Sequence, residues 1–139
     1  MAHKLMALSK VVQAIIANPG TIGALTPVEV DGRGWDRACF IFNLGTAGAG
    51  GLLDAKIQQA ATTGGALTDV TDAALTQVTK AAGDGKIEVI DIPVPGDKPF
   101  LKVTATTTDG AFPNAVTCIL YRGSGWRPAT QTAPQVIEL

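Results

Sequence analysis

Side chains able to do chemistry are sparse in this chain, and their spacing does not suit catalysis. The one histidine, His3, stands beside the N-terminus, so a Ser-His or Cys-His pair has no base within the body of the chain. His3 reads as a surface residue. Cys39 and Cys118 lie 79 residues apart, which gives neither zinc-ligand spacing nor a disulfide framework. They read as buried thiols acting as small hydrophobes, with a disulfide as the alternative if their strands are neighbours. Asp31 with Asp36, and Asp69 with Asp72, are the near carboxylate pairs that glycoside hydrolysis would need. Each pair flanks a turn, where aspartates bond to their own backbone. No run of oxygen ligands has calcium-loop spacing. Residues 45–51, GTAGAGG, have loose glycine spacing, but no helix follows in an α/β setting to supply a phosphate-binding N-terminus. The expectation is therefore no catalytic residue, no metal, no cofactor and no enzyme.

Surface contact is the other use for reactive side chains. Trp35 in GRGWDR and Trp126 in SGWRP each stand beside arginine, a composition found in protein–protein hot spots. The candidate partner-contact residues are Arg33, Trp35, Arg37, Arg122, Trp126 and Arg127. Open aromatic rings at Trp35, Tyr121 and Trp126 would alternatively suit a glycan. The 11 basic and 12 acidic residues give a formal charge of −1, which argues against a nucleic-acid partner. No stretch approaches 18 uninterrupted apolar residues, so no membrane partner is expected. The N-terminal apolar run is interrupted by Lys10, Gln13 and Asn18-Pro19-Gly20 and does not read as a signal peptide, which points to an intracellular origin.

The elements that must position these residues read as β-strands. The chain of 139 residues is one domain's worth, long enough to bury a core without metals or disulfides. Residues 1–26 read as an N-terminal arm. Leu5, Leu8, Val12 and Ile15 share a helical face, yet VVQAII suits a strand equally well. From Pro27 the pattern is β: PVEV (27–30), the turn DGRG (31–34), then RACFIFNL (37–44), with Ala38, Phe40, Phe42 and Leu44 on one face. The opposite face of that strand is half apolar, so the strand is expected at the centre of a sheet. The loop GTAGAGG then reads as the turn of a hairpin into LLDAKIQQAA (52–61), with Leu53, Ala55 and Ile57 inward. Residues 62–79 give two short edge pieces and 81–86 a turn. The remaining strands are KIEVIDIPV (86–94), FLKVTATTT (100–108) and AVTCILYR (115–122). Glycines and prolines deny regular structure to the C-terminal tail, 123–139, although Trp126, Val136, Ile137 and Leu139 want burial. Seven or eight short strands separated by turns imply a β-sandwich or barrel over 27–122.

The run VEVDGRGWDRACFIFNLGTAGAGGLLDAKIQQAATTGGALTDVT has an ordered set of features. A Val-Asp-x-x-Gly-aromatic lead-in enters a strand ending Asn-x-Gly. A glycine-rich turn, a strand of alternating charge and a Thr-Asp-Val edge piece follow, and FLKVTATTT and AVTCILYR come later. This arrangement, over roughly residues 27–122, resembles small virion proteins of tailed bacteriophages, and among them the capsid decoration, or cement, proteins. The low-charge, alanine-, glycine- and threonine-rich composition suits that group. The resemblance implies an all-β, jelly-roll-like β-sandwich that binds the outer surface of a phage head. Its partners would be the major capsid protein and itself, with a homodimer favoured, and it would be made in the host cytoplasm. On that reading one end segment reaches a neighbouring copy and the other grips the capsid. A glycan-binding module, or a tail- or fibre-associated one, is the alternative.

Overall fold

The computed structural model describes residues 9–18, 20–122 and 136–139. Two β-sheets pack face to face. The first has the order β1 (Ser9–Asn18), β10 (Asn114–Tyr121), β4 (Arg37–Leu44), β8 (Ile87–Pro93) and β11 (Val136–Glu138). The second has the order β2 (Gly23–Ala24), β9 (Phe100–Thr108), β5 (Leu52–Ala60) and β6 (Thr68–Ala74). In it β3 (Val30–Asp31) also pairs with β9, and β7 (Val78–Thr79) with β5. The chain crosses between the sheets repeatedly, so that β1-β10-β4-β8 faces β2/β3-β9-β5-β6. That is the connectivity of an eight-strand jelly roll, and β11 lies outside it. The β8–β11 pair is parallel. Every other pairing among the described strands is antiparallel.

Strict alternation builds the core. Ala38, Phe40, Phe42 and Leu44 of β4 point inward, as do Val116, Cys118 and Leu120 of β10. They meet Leu53, Ala55 and Ile57 of β5 and Leu101, Val103 and Ala105 of β9 from the other sheet. Phe40, Phe42 and Phe112 are fully buried. Each buried aromatic or aliphatic side chain removes apolar surface worth about 1.5–3 kcal/mol from water, which is why the register of these strands is fixed.

Four expectations need correction. Residues 9–18 are not an arm. They form a full edge strand antiparallel to β10, with Ala14 and Ile15 completely buried. A register shift between Gln13 and Ile15 turns both of these adjacent residues inward, a β-bulge that hides the period-2 pattern from the sequence. Residues 37–61 are not a hairpin. The GTAGAGG loop carries the chain from one sheet to the other, held by Gly45 N–H donating to Pro113 O (2.7 Å) and Gly48 N–H donating to Ala111 O (2.8 Å). The segment 81–86 opens within a single helical turn, α1 (Lys80–Gly83), which the Thr79 hydroxyl caps by accepting from Ala82 N–H. Of PVEV, only Val30 belongs to a strand, Pro27 making an isolated bridge to Ile15. At the other end, three residues of the tail are regular, since 136–138 form β11; residues 123–135 lie outside the described residues.

Candidate functional site

The turn between β3 and β4 places the arginine-rich segment at one end of the sandwich. Gly32 N–H donates to Pro99 O (2.9 Å). A Cβ on Gly32 would lie 2.8 Å from the Val94 side chain and 2.9 Å from Pro99 O, so only glycine permits this approach. Gly34 takes φ +80°, the left-handed conformation that glycine adopts without strain. Asp36 N–H donates to Tyr121 O (3.2 Å), and Val94 N–H donates to Asp36 O (2.9 Å). The turn is thereby tied to the ends of β10 and β8.

Arg33 is exposed and folds back on its own turn. Its Nε and Nη2 grip both oxygens of Asp31 at 2.9 and 2.7 Å, and its guanidinium lies 5.0 Å from the centre of the Phe100 ring. The hydrogen bonds from Arg33 hold the Asp31 carboxyl down at about 2. Trp35 packs partly against the core, and the Arg122 guanidinium sits 5.4 Å from its ring centre, a cation–π contact at the surface. Arg122 itself is exposed.

Arg37 has a different role from the one its sequence neighbours suggest. Its Nε donates to Asp91 Oδ1 (3.1 Å) and to the Tyr121 hydroxyl (3.0 Å). Its Nη2 donates to the main-chain oxygens of Asp91 (3.3 Å) and Leu139 (3.0 Å). The Tyr121 hydroxyl donates to Asp91 Oδ2. Burial, the largest single influence, works against charge on Arg37, but Asp91 and Tyr121 together outweigh it and raise the guanidinium pKa. Burial first, and then the Asp91 carboxylate, push the Tyr121 phenol up to about 12. Arg37 is thus engaged with its own fold. The structure brings Trp35, Arg37 and Arg122 together at one end, with Arg33 beside them in the turn. Trp126 and Arg127 lie outside the described residues.

The two outward sheet faces differ sharply. On the five-stranded sheet the outward positions mix apolar side chains, Val11 and Ile16 of β1, Ile119 of β10, Ile41 of β4 and Ile87 of β8, with the uncharged polar side chains of Gln13, Thr117 and Asn43. Val11, Ile16 and Ile87 are 51%, 51% and 46% exposed. The charges at the outward positions of β4, β10 and β8, Arg37 and Asp91, neutralise each other. Four strands about 4.8 Å apart and about eight residues long make a face of roughly 500 Å². The outward face of the other sheet is hydrophilic: Asp54, Lys56 and Gln58 of β5 alternate with Lys102, Thr104 and Thr106 of β9. Lys56 Nζ and Gln58 Nε2 both donate to Asp69, at 2.8 and 2.7 Å, and lower its pKa. A shallow cavity of about 240 Å³ lies on this face between Asp54, Lys56, Leu75, Thr104 and Thr106.

Neither cysteine is in a disulfide. They sit on neighbouring strands but face opposite ways, Cys118 inward and Cys39 outward, so no disulfide joins them. Burial raises the Cys118 thiol pKa well above the ordinary value, which makes it an inert core residue. Among the described residues no three His, Cys, Asp or Glu side chains converge as a metal site. Sequence reasoning missed Asp91 and Tyr121 as the partners of Arg37, and it missed the partly apolar outward face. The half-apolar second side of β4 was the one signal pointing to that face. No protein-family model matches the chain, and no curated protein matches it.

Proposed function

We propose that this chain is a structural virion protein that binds the outer surface of a phage head and ties neighbouring capsomers together. The observation that carries the reading is the unequal pair of sheet faces on a jelly roll. One face is hydrophilic and cross-linked by its own side chains, and the other exposes Val11, Ile16 and Ile87 among uncharged polar residues, its one ion pair, Arg37–Asp91, being self-neutralised. Exposed apolar side chains set among polar ones on one sheet face suit a site of association. The Trp35–Arg122 end adds the amphipathic side chains that anchor protein interfaces. A protein that adds contacts across joints between major capsid proteins needs surfaces of this kind, and repeated weak contacts on a symmetric lattice raise its occupancy by avidity. The glycan-binding alternative is less well supported, because Trp35 packs partly against the core and has Arg122 over its ring. The test is co-sedimentation of the purified chain with heads assembled without it. Saturable binding supports the reading. Absence of binding, with tryptophan fluorescence quenched by sugars, favours the glycan module; absence of both favours a tail or fibre component.

A further inference from the structure

The jelly roll is complete without β11, which makes the outer edge of β8 an acceptor. An edge strand left bare presents a row of unpaired main-chain groups to any extended chain that reaches it. Here Val136, Ile137 and Glu138 pair in parallel with Val89, Ile90 and Asp91. Leu139 N–H donates to Asp91 O (3.1 Å), and Arg37 donates to Leu139 O (3.0 Å). Ile137 packs against the core. Recognition is mostly through main chain with one apolar anchor, the mode of strand addition. A slot of this kind reads the segment and not the molecule that carries it.

The length of chain leading to β11 leaves the choice of molecule open. Tyr121 pairs with Arg37, and Arg37 with Pro93, so β10 ends level with Pro93, while Val136 sits opposite Val89. Three inter-strand steps of about 4.8 Å across and four residues of about 3.3 Å along give a separation of roughly 20 Å. The intervening residues, 122–135, reach about 50 Å when extended at about 3.3 Å per residue. The connection is more than twice as long as its own slot requires. We propose that the outer edge of β8, closed by Arg37, is a strand-acceptor slot that takes residues 136–139 of a second copy of this chain when copies are crowded together. This deepens the reading in which an end segment reaches a neighbouring copy, and its test needs no phage heads. A tethered strand competes at an effective concentration on the order of millimolar, so exchange sets in when copies approach that density, as they do side by side on a surface.

The test uses full-length chains in a Cys39→Ser background. One chain carries Val89→Cys and a second, of different size through a tag, carries Val136→Cys. Mixed at about millimolar concentration and oxidised, they are expected to form a disulfide between the two different chains. Excess peptide spanning 131–139 is expected to suppress it. A Val136→Cys chain mixed with an Asn43→Cys chain sets the background, since Asn43 is exposed away from the slot. Cross-linking no higher than that background overturns the proposal. So does a Val89→Cys/Val136→Cys double variant that closes its bond within one chain while the mixture gives none, for that strand would be strictly intramolecular.

Discussion

Replacing Arg37 by alanine separates a folding role from a contact role. The Arg37 and Asp91 side chains are 20% and 8% exposed. Removing one partner of a fully buried ion pair costs about 3–5 kcal/mol, because the other charge stays buried without compensation. Two features reduce that figure: the guanidinium retains some water, and the Tyr121 hydroxyl still donates to Asp91. Lost hydrogen bonds to the Asp91 and Leu139 main-chain oxygens act in the other direction. The expected loss is about 2–3 kcal/mol. For a domain of 139 residues this lowers Tm by roughly 6–12 °C. Urea denaturation followed by tryptophan fluorescence reads it directly, with an unchanged slope showing that the unfolded state is not what moved. A change under about 0.5 kcal/mol, the size of an ordinary surface substitution, refutes the assignment of Arg37 to the fold and returns it to the exposed contact set.

Other outcomes follow from the same geometry. Tyr121 is the sole tyrosine, so tyrosinate absorbance should titrate near 12 in the native protein and near 10 once unfolded. A native pKa above the unfolded one means that this contribution to stability is complete below about 10 and is lost as pH rises through about 12; a native midpoint at 10 contradicts the Asp91–Tyr121 contact. Gly83→Ala should cost about 1–3 kcal/mol by overpacking, because a Cβ there meets the Val78 side chain, Phe112 Cζ at 3.0 Å and Leu44 Cδ1 at 3.2 Å; chemical denaturation checks it, and wild-type stability contradicts the packing described. Arg122→Ala should leave stability within about 0.5 kcal/mol while weakening head binding about tenfold, roughly 1.4 kcal/mol; co-sedimentation measures the binding, and undiminished affinity removes this end of the sandwich from the interface.

The strands were legible in the sequence because each is a local pattern. Leu53, Ala55 and Ile57, or Val116, Cys118 and Leu120, declare their inward face by alternation alone. Which sheet a strand joins is a non-local matter. RACFIFNL and LLDAKIQQAA look like the two arms of a hairpin, yet each finds its neighbours elsewhere, β4 between β10 and β8 and β5 beside β9. The N-terminal segment leaves helix and strand equally open in the sequence, because the bulge that buries Ala14 and Ile15 side by side breaks a clean period of two. The candidate site was legible in part. GRGWDR marked the correct end of the molecule, but nothing local distinguishes Arg37, whose partner Asp91 lies 54 residues away, from Arg122, which stays at the surface. The partly apolar outward face was hinted at by Cys39 and Ile41 and completed only when β1, β10 and β8 lined up beside them.

The most direct measurement is of the shell itself. Heads assembled without this protein would be heated with and without a saturating amount of the purified chain, and DNA release followed with an intercalating dye. Bound protein is expected to move release to a higher temperature, and the gain to disappear with a chain altered at Trp35 and Arg122. Release at the same temperature with every site filled would contradict a cementing role.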